Sequence, residues 1–251
     1  MSYSKQHPDT SFSISMFLLL FFFSGCSVQE SEPSWGYVQY VGALKNMMHK
    51  GDLSSNISLH ELKDKKNLYA LGAMTNLKGE IQIFDGIASN SLVDTDSLVI
   101  DNSFDKEATL LVYTQVGDWD SIQIPPAVVS RRDLEKFIAQ EAKKNGINTE
   151  APFPFLLDGI FKSIEWHVIN WKEGDTEHSH EKHIKSGVYG TLQATSAQIL
   201  GFYSTKHKGV FTHHTTDTHI HFKLDNQKIS GHVDNLELSN DVVLKLPKVS
   251  H

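Results

Sequence analysis

Short strand-like segments dominate this chain from about residue 68 to residue 247, and they are what most limits its fold. Each segment alternates apolar and polar residues or is rich in β-branched residues, and each is bounded by Gly, Asp, Asn or Ser. The segments are NLYALGAMTN, GEIQIFDG, SLVID, ATLLVYTQV, IFKSIEWHVINW, VYGTLQATS, QILGFYS, DTHIHFKL, ISGHVDNLEL and DVVLKLP. Helical periodicity is confined to residues 37–63 and about 131–144. The pattern predicts a sheet-rich fold with few helices.

The N-terminus has the pattern of an export signal. Lys5 and His7 precede the apolar run MFLLLFFF, which is shorter than the roughly 20 apolar residues of a membrane span and is followed by SGCS. The stretch FFFSGC resembles a bacterial lipoprotein cleavage box, in which Cys26 becomes the lipidated first residue. Ser27 fits the pattern that sorts lipoproteins to the outer membrane. We therefore predict a signal peptide over 1–25 and an exported protein, lipid-anchored to the cell envelope at the periplasmic face of the outer membrane. The alternative is an ordinary cleaved signal peptide with a chance cysteine.

Composition narrows the function of the mature chain. The 251 residues have a formal net charge of −7, whereas a surface that binds nucleic acid normally has a basic excess. Cys26 is the only cysteine, so the domain has no disulfide, and any metal must be bound by histidine and carboxylate. A polar tether occupies 26–36. Two prolines in KNGINTEAPFPF predict a boundary between an N-terminal α/β domain, 37–150, and a C-terminal β domain, 151–251.

Three histidines lie within what reads as one β-hairpin, THIHFKLDNQKISGHVD. Residues two apart in a strand share a face, so His219 and His221 point the same way. A turn centred between Asn226 and Gln227 places His221 directly opposite His232, with Cβ atoms roughly 4.5 to 5.5 Å apart. A loop of odd length would instead send His232 to the other face. The hairpin therefore predicts an open site with three histidine ligands, as in catalytic zinc centres, although iron, nickel or cobalt would also suit.

Histidine enrichment offers a simpler explanation of part of this pattern. Ten of the fourteen histidines lie between His167 and His232, so some pairs reach metal-like spacing through composition alone. We interpret EHSHEKH as a solvated loop or an adventitious metal-binding segment, and place His213 or His214 at a pocket entrance. The cupin fold also has His-x-His on a strand, but it requires a glutamate soon after the pair, where Asp225 occupies the turn here.

The sequence resembles the α-acetolactate decarboxylase family over roughly Val38 to Pro247. The family's metal motif is His-x-His with a third histidine eleven residues later, in a Gly-His followed by apolar residues and Asp; HIHFKLDNQKISGHVD matches it. LYALGAMTNLKGEIQIFDG resembles a second family motif, whose active-site glutamate corresponds to Glu80. The resemblance implies an α+β fold, with an N-terminal mixed β-sheet packed by helices and a C-terminal antiparallel barrel-like sheet bearing the three-histidine metal site.

The resemblance also implies an activity, the decarboxylation of 2-acetolactate to acetoin by a zinc-dependent or similar metal-dependent lyase with a small-molecule substrate. It implies catalytic roles for Glu80 and His167, metal binding by His219, His221 and His232, and a homodimer. Without the resemblance, Glu80 would be interpreted as a solvent-facing strand residue and His167 as a half-buried sheet histidine beside Trp166.

Two features depart from the family pattern. After DGIF the family has an arginine, and His167 occupies that position here; a histidine is charged only conditionally and cannot bind a carboxylate bidentately. The family's second metal-binding glutamate, near its C-terminus, has no evident counterpart. These departures leave two alternatives, a non-catalytic metal-containing binding protein of the same fold and a related metal enzyme acting on another small hydroxy-keto acid.

Overall fold

The computed structural model describes Met1, Tyr3 and residues 35–224 and 229–249. By contacts the chain divides into two units, Met1–Glu32 and Pro33–His251, and the fold below is that of the second. The predicted signal peptide, apart from Met1 and Tyr3, and Cys26 lie outside the described residues. None of the helices in the described ranges is long and apolar enough to cross a membrane.

The first sheet contains eight strands. They are β1 (Gln39–Val41), β2 (Ile57–Ser58), β3 (Leu68–Met74), β4 (Glu80–Phe84), β5 (Ile87–Ala88), β6 (Asn90–Asp94), β7 (Ser97–Asp101) and β8 (Glu107–Gln115). The order is β1-β8-β3-β4-β6-β7, with β2 paired to β8 and β5 paired to β4. All of these pairings are antiparallel, so the expected mixed sheet is wrong. For β3–β4, β4–β5 and β6–β7 the physical reason is the short connection, since parallel neighbours need a crossover of a dozen or more residues.

The second sheet contains six strands, which are β9 (Trp119–Gln123), β10 (Phe153–Val168), β11 (Val188–Tyr203), β12 (Thr218–Lys223), β13 (Ser230–Leu238) and β14 (Val243–Pro247). The order is β11-β12-β13-β10-β14-β9, and β10 also pairs with β11. Strands β10, β11, β12 and β13 therefore form a closed ring, in which each strand pairs with two others of the four. β9 precedes residue 150 but belongs to this sheet, so the sheet contains strands from both sides of the predicted domain boundary. The boundary itself stays a prediction.

Three α-helices and two short 3-10 helices complete the described fold. They are α1 (Leu44–Lys50), α2 (Arg131–Lys144), α3 (His180–Lys185) and the 3-10 helices Leu59–Leu62 and Thr75–Leu77. The expected helix over 37–63 is largely wrong. Gly51 adopts a left-handed conformation, φ 62°, that ends α1 after two turns. The prediction of α2 is confirmed. Its N-terminus is capped by Ser130, whose side chain accepts a hydrogen bond from the Asp133 N–H.

Apolar side chains from both sheets meet in one buried layer. Leu71 and Val112 of the first sheet belong to the same cluster as Leu156, Leu200 and Phe202 of the second. Complete burial of one such side chain contributes about 1.5–3 kcal/mol. Packing of this layer brings β4 against β12 and β13, and the candidate site lies where these strands meet.

Candidate metal centre

The register of the histidine hairpin agrees with the sequence prediction. His221 pairs directly with His232, and the Leu224 N–H donates to the Ile229 carbonyl over 2.9 Å. The turn itself, residues 225–228, lies outside the described residues. The predicted pairing is confirmed. Because this register corresponds to an even loop, all three histidines lie on one face.

The three imidazoles present nitrogen atoms to one point. His221 Nε2 lies 3.1 Å from His219 Nε2 and 3.2 Å from His232 Nδ1. Burial lowers the pKa of His219 to about 3 and holds the pKa values of His221 and His232 well below the usual value. The imidazoles are therefore neutral at physiological pH, which is the form that binds a metal. Among the described residues they are the one group of three or more donor side chains close enough to share a metal ion.

Gln82 orients the central histidine. The His221 Nδ1–H donates to Gln82 Oε1 over 2.9 Å, while Gln82 Nε2 donates one hydrogen to the Ser89 carbonyl and has the hydroxyls of Ser91 and Ser230 as acceptors for the other. Because these acceptors determine which end of the amide is nitrogen, His221 Nδ1 must carry its proton. The lone pair of Nε2 then faces the other two histidines, as a metal ligand requires. The residues present therefore fit a bound divalent metal.

Glu80 lies at the edge of this group. Its side chain comes from the start of β4 and is buried, with 4% exposure, so the interpretation as a solvent-facing residue is wrong. Its Oε2 is 3.8 Å from His221 Nε2, and its Oε1 is 3.8 Å from His167 Nε2. Burial raises the pKa of Glu80 to about 8, against the opposing charge of His167 and a hydrogen bond from the Ile169 N–H. Without a bound metal, the carboxyl is therefore mainly protonated at neutral pH.

His167 forms a buried pair with Asp234. Its Nδ1 lies 2.9 and 3.0 Å from the two Asp234 carboxylate oxygens, and its exposure is 5%, less than the half-buried alternative expected. Glu165 pairs with Asn235 and Trp166 with Val233, so Asp234 is the extra residue of a β-bulge. Burial opposes a charge on His167, but the hydrogen bond and the charge of Asp234 outweigh it and raise the His167 pKa.

A cavity of about 270 Å³ opens beside these groups. Its apolar lining residues are Leu44, Met47, Ala73, Leu77, Leu110, Ile169 and Phe211. Its polar lining residues are Glu80, Arg131, His167, His180, His183, His213, Thr215, Thr216, Thr218, His219, His232 and Asp234. The placement of His213 at the pocket is confirmed. The loop part of the EHSHEKH interpretation is wrong for His180 and His183, because both belong to α3, which Ser179 caps. His180 is nevertheless exposed, as the solvated interpretation expected, and both histidines line the cavity.

Sequence reasoning assigned no role to Gln82, Asp234 or Arg131. Gln82 is two residues after Glu80, and Asp234 is two residues after His232. Because residues two apart in a strand share a face, the sequence already placed Gln82 on the same face as Glu80 and Asp234 on the same face as His232. Arg131 begins α2, and nothing in its local sequence signals its approach to β12 and β13.

Comparisons with known proteins agree with this architecture. The family model described as Alpha-acetolactate decarboxylase matches residues 40–251. A Staphylococcus aureus protein of unknown function, similar to alpha-acetolactate decarboxylase, superposes with a TM-score of 0.66 at 20% identity, covering 83% of this chain and 84% of its own. The alpha-acetolactate decarboxylase of Bacillus subtilis strain 168 gives a TM-score of 0.66 at 17% identity, covering 85% and 86%. No curated protein matches the sequence.

Proposed function

This chain belongs to the alpha-acetolactate decarboxylase family, and we propose that it is a metal-dependent carboxy-lyase that converts 2-acetolactate to acetoin. The observation that carries the proposal is the group of three imidazoles with the buried Glu80 carboxyl 3.8 Å from His221 Nε2. The proposed ligands are His219, His221 and His232. We propose zinc as the metal, since the reaction requires no redox change and three imidazoles suit it.

Decarboxylation leaves an electron pair on the carbon that loses carbon dioxide. In 2-acetolactate the neighbouring ketone delocalises this pair, and a proton must then be added to carbon. When bound, the metal supplies a Lewis acid where the negative charge develops. The chain's own residues must orient the substrate, exclude water and deliver the proton.

Glu80 is the proposed proton donor. A general acid must be protonated at the working pH and lie within reach of the reacting atom. The pKa of about 8 meets the first condition, and the 3.8 Å separation of Glu80 Oε2 from His221 Nε2 places the carboxyl beside the metal ligands. After donating its proton, the carboxylate faces His167 Nε2, and the raised pKa of His167 allows that residue to return one.

His167 is proposed to take over part of the role of the family arginine. The Asp234 carboxylate accepts a hydrogen bond from His167 Nδ1–H, and this hydrogen bond directs His167 Nε2 toward Glu80 and the cavity. A histidinium at this place attracts the substrate carboxylate through its charge, although it offers one donor where an arginine offers two. The apolar side chains that line the cavity suit the methyl groups of the substrate.

The decisive experiment measures acetoin formation from racemic 2-acetolactate, with metal content determined on the same sample. We expect metal-dependent acetoin production that is lost in His221→Ala. His49→Ala is the matched control, since His49 lies on the exposed surface of α1. Stoichiometric metal without acetoin would contradict the decarboxylase assignment and favour a binding protein of the same fold or a different hydroxy-keto acid substrate.

The cellular setting is also a proposal. The apolar run and SGCS motif support export and lipid attachment at Cys26, so that the membrane is reached through this anchor, and family membership supports a homodimer. Labelling cells with a radioactive fatty acid tests the anchor: wild-type protein should incorporate label, and Cys26→Ser should not. Label in the Cys26→Ser variant would contradict it.

A further inference from the structure

We propose that Arg131 is a positioning residue, which bridges the two strands that bear the histidines and sets the separation of His219 from His232. The proposal rests on the metal site of the proposed function, and it concerns how the fold holds that site open. It assigns a role to a side chain outside the histidine motif, contributed by α2.

The two histidine strands separate next to the site. Their ladder consists of Lys223 with Ser230, Phe222 with Gly231 and His221 with His232, and within the described residues it ends there. Continued by the same register, His219 would lie opposite Asp234. Instead β12 remains paired with β11 as far as Thr218, while β13 bulges at Asp234 against β10. The strands therefore diverge where the ligand nitrogens need room.

The Arg131 guanidinium occupies this divergence. Its Nη1 donates to the Asp234 carbonyl over 2.8 Å, and its Nη2 donates to the Thr218 carbonyl over 3.2 Å and to the Thr218 hydroxyl over 3.3 Å. Thr218 directly precedes His219, and Asp234 is two residues after His232. A rigid, planar guanidinium that bonds both backbones fixes their separation. The His219 and His232 ring centroids are 5.1 Å apart.

The first turn of α2 holds Arg131 in this position. Leu134 and Ile138 are buried in the core, which anchors the helix. One turn after Arg131, Glu135 Oε1 accepts hydrogen bonds from the Thr218 hydroxyl and the Asp217 N–H over 2.6 and 3.2 Å. Two neighbouring side chains of α2 thus bind the same end of β12.

A simple ion pair on the helix surface is the alternative explanation of Arg131. Its Nε lies 3.8 Å from Glu135 Oε1, which is beyond hydrogen-bond distance, and the Arg131 side chain is only 17% exposed. The guanidinium instead directs three hydrogen bonds at the two strands. An ion pair alone would also predict little effect on the metal, since such pairs contribute little to stability.

The test uses the full chain, purified in detergent, stripped of metal and titrated with Co²⁺, whose visible spectrum reports the number and geometry of its ligands. The variants are Arg131→Gln and Arg131→Lys. Arg131→Gln removes both the charge and the planar guanidinium, whereas Arg131→Lys keeps the charge but removes the planar guanidinium that bonds both strands. Arg132→Gln is the matched control, because the adjacent Arg132 is exposed. Thermal unfolding of each metal-free variant measures the purely structural effect.

We expect Arg131→Gln to bind Co²⁺ about 10-fold more weakly or worse, in the range seen for residues that orient metal ligands, with an altered spectrum. Arg131→Lys should fall between it and wild type, and Arg132→Gln should match wild type. Unchanged Co²⁺ affinity and spectrum in Arg131→Gln would overturn the proposal. If Arg131→Gln does not fold, a folded Arg131→Lys with wild-type affinity and spectrum would overturn it equally.

Failure of the proposed function gives a different result. Wild-type protein that binds Co²⁺ at the three histidines but forms no acetoin would refute the decarboxylase assignment, and the comparison of the Arg131 variants would still stand. Wild-type protein that binds no Co²⁺ there would overturn both.

Discussion

Two groups of histidines in this molecule have nearly the same spacing but different surroundings. The inner histidines, His219, His221 and His232, have neighbouring nitrogen atoms 3.1 and 3.2 Å apart. The outer pair, His178 and His183, has Nδ1 and Nε2 atoms 2.9 Å apart. The outer pair is held by Trp171, against which His178 stacks at 4.5 Å and His183 packs edge-on at 4.7 Å.

The difference teaches that a short distance between imidazoles does not identify a ligand site. The inner group has a third donor, a buried amide that determines the His221 tautomer and an acidic neighbour, Glu80. The outer pair joins His178 to His183 of α3, both half-buried, and its separation suits one hydrogen bond between neutral rings. The inner group therefore has the environment of a metal site.

Removing one histidine from each group should produce the largest contrast. His219→Ala should abolish stoichiometric metal binding and acetoin formation, because two imidazoles hold a metal far less tightly than three. His178→Ala should keep the wild-type metal content, measured by elemental analysis of the purified chains. Equal metal loss in both variants would show that the two groups are not distinct.

Glu80→Gln should separate proton delivery from metal binding. An amide of the same size cannot donate an acidic proton, so we expect kcat to fall by about 100-fold or more, as for general acids. The metal content should stay unchanged. Glu107→Gln, on an exposed strand position, is the control. A variant with nearly normal kcat would remove Glu80 from the proposed mechanism.

Gln82→Met should weaken the inner group without touching a ligand. Loss of the acceptor for His221 Nδ1 frees the tautomer, and changes of this kind typically cost about 10–100-fold in metal affinity. Competition with a chromophoric chelator measures the effect, with the exposed Gln193→Met as control. Unaltered affinity would mean that the amide does not orient His221.

The buried Glu80 carboxyl should also make stability depend on pH in metal-free protein. Its pKa rises from 4.5 to about 8 on folding, so between these values the unfolded chain ionises while the folded chain does not. The stability of wild type should therefore fall relative to Glu80→Gln as pH rises through this window, and the difference should become constant above about pH 8. Thermal unfolding of both proteins across the window measures this effect. Parallel curves would contradict the raised pKa.

Much of the hairpin could be predicted from the sequence because its geometry is local. Strand alternation placed His219 and His221 on one face, and an even loop placed His232 with them. The helix predicted over 37–63 was largely wrong because a left-handed Gly51 ends it early. Glu80 was recognised only through family resemblance, since alternation within β4 did not reveal that all five of its residues are buried.

The sequence by itself determined the histidine face, the apolar periodicity of α2 and the family of the chain. Only the tertiary structure decided that Gln82 meets His221 across 139 residues and that Arg131 reaches two strands about 90 and 100 residues away. The reason is physical. Backbone geometry sets which residues share a face within a few positions, whereas packing between the two sheets and α2 selects the side chains that surround the histidines.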